Sequence, residues 1–217
     1  GIGIGTHLSV NGAMAHAYAH TFYNGLLFIA MGAFITASGG RMLIEQLIGI
    51  GRRNTLITTG FMFGALSISC MPLLSGFVSI PMIIHGALDA GRGLVALCLG
   101  AAILGTMVTA GIRIPILLIR DTSDQNNDPV DIAPLPINMP IALGKAAMVS
   151  LILGIFPHIL YHHLPRPFNY SPYTLWNVAG LIILFGFGLL IFLFFRRFTG
   201  MPEWRCPDLD VLYRLVG

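Results

Sequence analysis

His16, His20 and Asn24 recur every four residues in the run His16-Ala-Tyr-Ala-His20-Thr-Phe-Tyr-Asn24, inside an apolar stretch from about Met14 to Ala37. On a helix this spacing stacks the three side chains along one face, over about 12 Å at ~1.5 Å per residue. Imidazole titrates near pH 6.5, so the row suits a proton relay. The same pair could hold a metal or hydrogen-bond to neighbouring helices. Haem held by two histidines needs ligands on opposite sides of the iron, which one helical turn does not supply. A metal site wants a third ligand, and the nearby carboxylates here are loop residues. No cofactor and no metal is therefore expected. Packing remains the plain alternative to the relay, although polar groups at hydrocarbon depth are costly enough to be functional by default.

A second candidate lies in the apolar element Thr55 to Asp89, whose centre carries Pro72, Ser75-Gly76, Ser79-Ile80 and Pro81. Proline removes a backbone donor and glycine loosens the ladder, so the sequence predicts a discontinuous helix broken near residues 72–81. Freed carbonyls and amides there could line a cavity; a simple proline kink is the competing account. His85 follows the break and either continues a polar path or sits at the interface.

The elements that must position these residues belong to a membrane. Of 217 residues, 55% are hydrophobic and only 10% charged, with mean hydropathy +0.80, far from the ~25% charged residues of soluble domains. The net charge of +3 is too thinly spread to argue for nucleic acid. Cys70, Cys98 and Cys206 lack metal or redox spacing. The glycine-rich pieces carry no phosphate-loop lysine, which leaves nucleotide binding without support. The opening Gly1-Ile-Gly-Ile-Gly has no basic n-region and no starting Met, so the chain reads as cut from something longer.

With about 20 apolar residues needed per crossing, the chain reads as an all-α, polytopic transmembrane helix bundle of about five crossings. Residues 1–13 are expected to end a preceding helix or loop. Residues 14–119 hold the histidine helix, the broken helix and a third span from Leu94 to Ile119. Residues 120–139 form an acidic hydrophilic loop, 140–195 hold two more spans, and 196–217 form a tail. Leu43 to Ile50 suits a short interfacial helix. Taken as one crossing, the broken element places Arg41, Arg52, Arg53, Arg113, Arg120, Arg196 and Arg197 on one side, cytoplasmic by the positive-inside rule; two crossings would split them. Arg113 and Lys145 lie close enough to span ends to snorkel. His158, His162 and His163 sit at headgroup level.

The run His16 to Phe28, HAYAHTFYNGLLF, resembles the His-x-x-x-His-x-x-x-Lys-x-x-Leu-Phe helix of the proton-translocating antiporter-like subunits. These include the D and A subunits of Mrp-type Na+/H+ antiporters and the membrane-arm subunits of complex I and membrane-bound hydrogenases. The segment Gly64 to Ser79 is similar to that family's Pro-x-x-x-Gly-Phe-x-Ser-Lys broken helix. Gly154 to Tyr161 and Asp208 to Arg214 look like the Mrp D subunit, of which this chain resembles the C-terminal part. The resemblance implies a transport subunit without redox chemistry of its own, in a bacterial or archaeal plasma membrane, partnered by other membrane subunits, lipid and protons or Na+. Asn24 and Ile80 stand where the family has lysine. Asparagine hydrogen-bonds water but does not titrate near neutral pH. A path through this half would run on His16, His20 and water. A non-conducting structural module that holds an assembly together is the alternative.

Overall fold

Thr6 starts the first helix. Its hydroxyl oxygen accepts a hydrogen bond from Ser9 N–H at 3.2 Å, satisfying one of the amides a helix start leaves open. In the computed structural model, which describes residues 1–120, 134–164 and 170–195, α1 spans His7–Ala37. It stops where Gly39 and Gly40 take positive φ. The helix thus begins seven residues before Met14, because the capping Thr6 and the buried polar pair Ser9 and Asn11 draw residues 7–13 into it.

Beyond α1 run α2 (Thr55–Ile68) and α3 (Ser75–Asp89). Next comes α4 (Gly93–Ile119), which is π-helical from Met107 to Arg113. The set closes with α5 (Asn138–Ile155), the short α6 (Pro157–Tyr161) and α7 (Leu175–Phe195). No strand occurs among the described residues. Among the described residues, four helices are long and apolar enough to cross a membrane: α1, α4, α5 and α7. Between α1 and α2, residues Ile44–Leu47 and Ile50–Arg52 form two 3-10 turns in place of the expected interfacial helix.

The fifth crossing is built from two pieces. At ~1.5 Å per residue, α2 and α3 measure about 21 and 22 Å, each short of the ~30 Å hydrocarbon core. They lie end to end along α1, running the opposite way. Phe61 of α2 packs on Phe34 and Gly64 on Leu27; in α3, Ser79 meets His16, and Gly86 meets Ser9. The ends of α4 agree: Arg92 reaches Gly3 O at one end, and at the other Leu117 O accepts from Gly49 N–H and Ile119 O from Arg52 Nε. Together α2 and α3 therefore make one crossing.

The break falls at residues 69–74, earlier than the expected 72–81. Cys70 and Leu73 both adopt positive φ, an uncommon conformation for side-chain-bearing residues that surrounding packing must hold. Pro72 sits in this turn, whereas Pro81 is buried inside α3 without ending it. Only the first proline coincides with the interruption of the helix; the second merely forgoes one donor. In α4 the wide π turn ends just before Pro115, whose ring crowds the carbonyl of Gly111 four residues back and opens the ladder there.

A stripe on α1, Ala15, Ala19, Tyr23, Leu26, Ala30, Ala33 and Phe34, is buried against α2, α3 and α5. Small residues let these backbones approach closely. Apolar side chains on the outside, such as Trp176 at 85% exposure, give a lipid-facing surface. The acidic loop at 121–133, residues 165–169 and the tail from 196 lie outside the described residues.

Candidate functional site

His16 and His20 flank the buried stripe of α1 rather than belonging to it. His16 follows Ala15 and His20 follows Ala19, so each imidazole is turned by about 100° toward the gap between α1 and α4. That gap holds a cavity of about 410 Å³ lined by His16, His20, Tyr23, Cys70, Ile80 and Thr106, among others. His16 is half-buried and His20 exposed. Their ring centres are 5.9 Å apart, too far for a direct hydrogen bond, and Tyr23 stands 5.3 Å from His20 and 6.3 Å from His16. A bridging water is the physical means of linking polar groups at such separations.

Ser79 sets the orientation of the first imidazole. His16 Nδ1 lies 3.0 Å from Ser79 Oγ, which leaves the other ring nitrogen for the cavity. One turn earlier in α3, Ser75 joins a fully buried hydroxyl triad with Ser67 of α2 and Ser150 of α5, at 2.8–3.2 Å. Ser67 Oγ also accepts from Gly76 N–H at 3.3 Å. The triad ties the end of α2, the start of α3 and the middle of α5 at the break. Replacing Ser79 by alanine is expected to free the His16 ring, with Ser79→Thr holding it; a His16 ring equally ordered in all three by NMR relaxation would show that His16 needs no anchor.

Asn24 leaves the row. Each four-residue step on a helix of 3.6 residues per turn rotates by about 40°, so Asn24 is turned ~80° from His16, whereas Tyr23 is turned only ~20° the other way. Tyr23 completes the histidine row, and Asn24 lines a second cavity of about 500 Å³ further along α1 and α4, with Thr109 and Arg113. The spacing of Tyr23, seven residues after His16, was the signal in the sequence for this exchange.

His85 stands apart from both cavities. Its Nε2 is 2.9 Å from Asn177 Oδ1, and Asn177 Nδ2 donates to Tyr170 OH and Pro172 O. With the amide nitrogen so engaged, the oxygen is the acceptor and His85 Nε2 the donor. Burial raises the Tyr170 phenol above its ordinary value, partly offset by the bond from Asn177, so it stays a neutral hydroxyl. Pro72 lies in the turn of the break; Ser75, Gly76, Ser79 and Ile80 all sit in the first two turns of α3, and only Ile80 among them lines the histidine cavity. Contacts from other helices, Ser67, Ser150 and Asn177 above all, carried no local signal.

The family model described as NADH:quinone oxidoreductase/Mrp antiporter, TM, matches residues 1–119. A protein of Staphylococcus haemolyticus provisionally named antiporter subunit mnhD2 is 27% identical over 155 residues, covering 71% of this chain and 30% of that protein. NADH-ubiquinone oxidoreductase chain 5 of Phytophthora infestans is 30% identical over 147 residues, covering 65% of this chain and 22% of the relative. F(420)H(2) dehydrogenase subunit M of Methanosarcina mazei is 25% identical over 150 residues, covering 69% and 29%. The chain thus spans less than a third of the length of these curated relatives.

Proposed function

The chain belongs to the NADH:quinone oxidoreductase/Mrp antiporter membrane family, and from that premise we propose that it forms part of a polar path for protons, or for Na+ and protons, in a multisubunit antiporter or complex I-like assembly. The observation that carries this reading is the histidine cavity. Two imidazoles and a phenol, at hydrocarbon depth in a membrane-spanning helix, share one space with the residues after the helix break. Polar groups so placed are costly unless they serve a path or a partner, and irregular backbone at membrane depth is tolerated where it lines a cavity.

In this reading His16 and His20 exchange protons through intervening water, with Tyr23 as a hydrogen-bonding wall and Ser79 as the anchor of His16. Asn24 and His85 lie off that line: Asn24 adjoins its inner end and His85 is held by Asn177. The arginines that follow α1 and α4 support a cytoplasmic face there, and the likeness to antiporter and oxidoreductase subunits supports work beside other membrane subunits. A bacterial or archaeal plasma membrane with a cytoplasmic C-terminus is part of the same proposal. Residues 14–119 form the conducting unit, and the later helices brace it through Ser150.

The second reading, a non-conducting module, is favoured by Ile80. At 8% exposure this apolar side chain lines the cavity where the resemblance expects lysine. Ile80→Lys separates the two. In vesicles holding the whole assembly, a hydrated path accepts the ammonium, assembles normally and changes proton flux by about 3-fold or more. A dry interior rejects an unpaired charge, which costs several kcal/mol, of order 3–5, and assembly fails.

A further inference from the structure

The geometry points to a binding site for an anionic phospholipid in the second cavity, with the phosphate on Arg113 and an acyl chain in the groove behind it. The groove runs between α1 and α4, floored by Phe61 and walled by Leu27, Phe28, Met31, Ile114 and Leu117. Its ~500 Å³ falls within the ~300–1,000 Å³ of ordinary small-molecule sites. Phe28, one of its walls, is 72% exposed, so the groove opens sideways, toward the hydrocarbon that surrounds these spanning helices.

Among the described residues lining the groove, Arg113 is the charged one. It lies six residues before the end of α4 at Ile119, about 9 Å at ~1.5 Å per residue, so its guanidinium reaches headgroup depth by snorkelling. The wide turn that ends at Arg113 is pinned from behind, because Gly111 presses on Ser69 Oγ at the helix break. That contact fixes the rotation of α4 and keeps Thr109, Arg113 and Leu117 on the groove side. The Thr109 hydroxyl donates to Gly105 O within its own helix. Arg113 is therefore the strong donor on offer, and its fork geometry matches a phosphate. Basic pockets between spanning helices select anionic headgroups on this principle. Electrostatics at the same end adds to it, since Arg52 is held on Ile119 O at 2.8 Å and Arg120 follows directly.

The test uses the intact assembly in nanodiscs containing phosphatidylglycerol and phosphatidylcholine in equal amounts. One of the two lipids carries a photoreactive diazirine on its acyl chain, and labelled peptides are read by mass spectrometry. Phosphatidylglycerol is expected to label the Leu27–Met31 and Ile114–Leu117 peptides about 5-fold more than phosphatidylcholine, the ratio that ~1 kcal/mol per basic residue implies. Arg113→Gln should bring that ratio to about one, and Arg113→Lys should retain it. Ala110→Trp, which fills the groove, should suppress labelling by both lipids with Arg113 in place. Equal labelling by the two lipids, an unchanged ratio in Arg113→Gln, or no labelling by either because a neighbouring subunit covers the groove would each overturn the site.

Discussion

Replacing His16 by alanine is expected to lower proton flux through this part of the assembly by about 10²-fold, the usual contribution of a positioned acid–base group, with assembly unchanged. His20→Ala should cost less. The difference comes from how the two rings are held. His16 is half-buried and anchored through Nδ1 to Ser79 Oγ at 3.0 Å, so it presents one nitrogen to the cavity in a fixed direction. His20 is exposed, with ring contacts at 5.3 and 5.9 Å, and water can take over its place in a chain of hydrogen bonds. His16→Gln keeps a hydrogen-bonding group of similar reach without a titratable proton. Its flux should therefore stay near that of the alanine variant if proton exchange is the role, and near wild type if packing is. The measurement is acidification of a pH-sensitive dye inside vesicles carrying the whole assembly. Wild-type flux in His16→Ala would leave the structural reading standing.

The helical character of the chain and its spans were legible because membrane helices announce themselves by uninterrupted apolar length, a signal carried within each segment. The i, i+4 histidines were legible for the same reason. What the sequence misled about was rotation and partnership. A row of residues four apart looks straight on paper yet turns by about 40° at each step, which moved Asn24 out of the histidine cavity and Tyr23 into it. The partners of the candidate residues lie far along the chain: Ser79 is 63 residues from His16, Ser150 is 83 from Ser67, and Asn177 is 92 from His85. Local pattern carries none of these pairings. The position of the break was blurred because Pro72 and Pro81 look equivalent in a sequence. The positive φ of Cys70 and Leu73, which actually interrupts the helix, is imposed by packing. Arg113 read as a snorkelling residue; its placement in a cavity beside Asn24 required knowing the π turn.

The helix break also predicts opposite signs for two glycines that look alike in the sequence. Gly76→Val is expected to destabilise the protein by ~3 kcal/mol or more, beyond the ~1–3 kcal/mol of ordinary overpacking. Gly25→Ala should stabilise it by up to ~1 kcal/mol through helix propensity. A Cβ at Gly76 would collide with the backbone carbonyl oxygen of Ser67 and crowd its carbon at 3.0 Å. Backbone in the last turn of α2 cannot rotate aside as a side chain would. To make room, α3 must back away from α2, and the movement breaks the Gly76 N–H bond to Ser67 Oγ and the three-hydroxyl cluster with Ser75 and Ser150. Those hydroxyls are fully buried, so each one left unpaired costs a further ~1–3 kcal/mol. Gly25, in the middle of α1, has nothing within 4 Å of the same added atom, so only the gain in backbone order is felt. Thermal unfolding of the purified protein in detergent reads both changes. A Gly76→Val variant as stable as wild type would mean that the two half-helices do not need their close approach, and the cavity beside His16 would then lose its fixed wall.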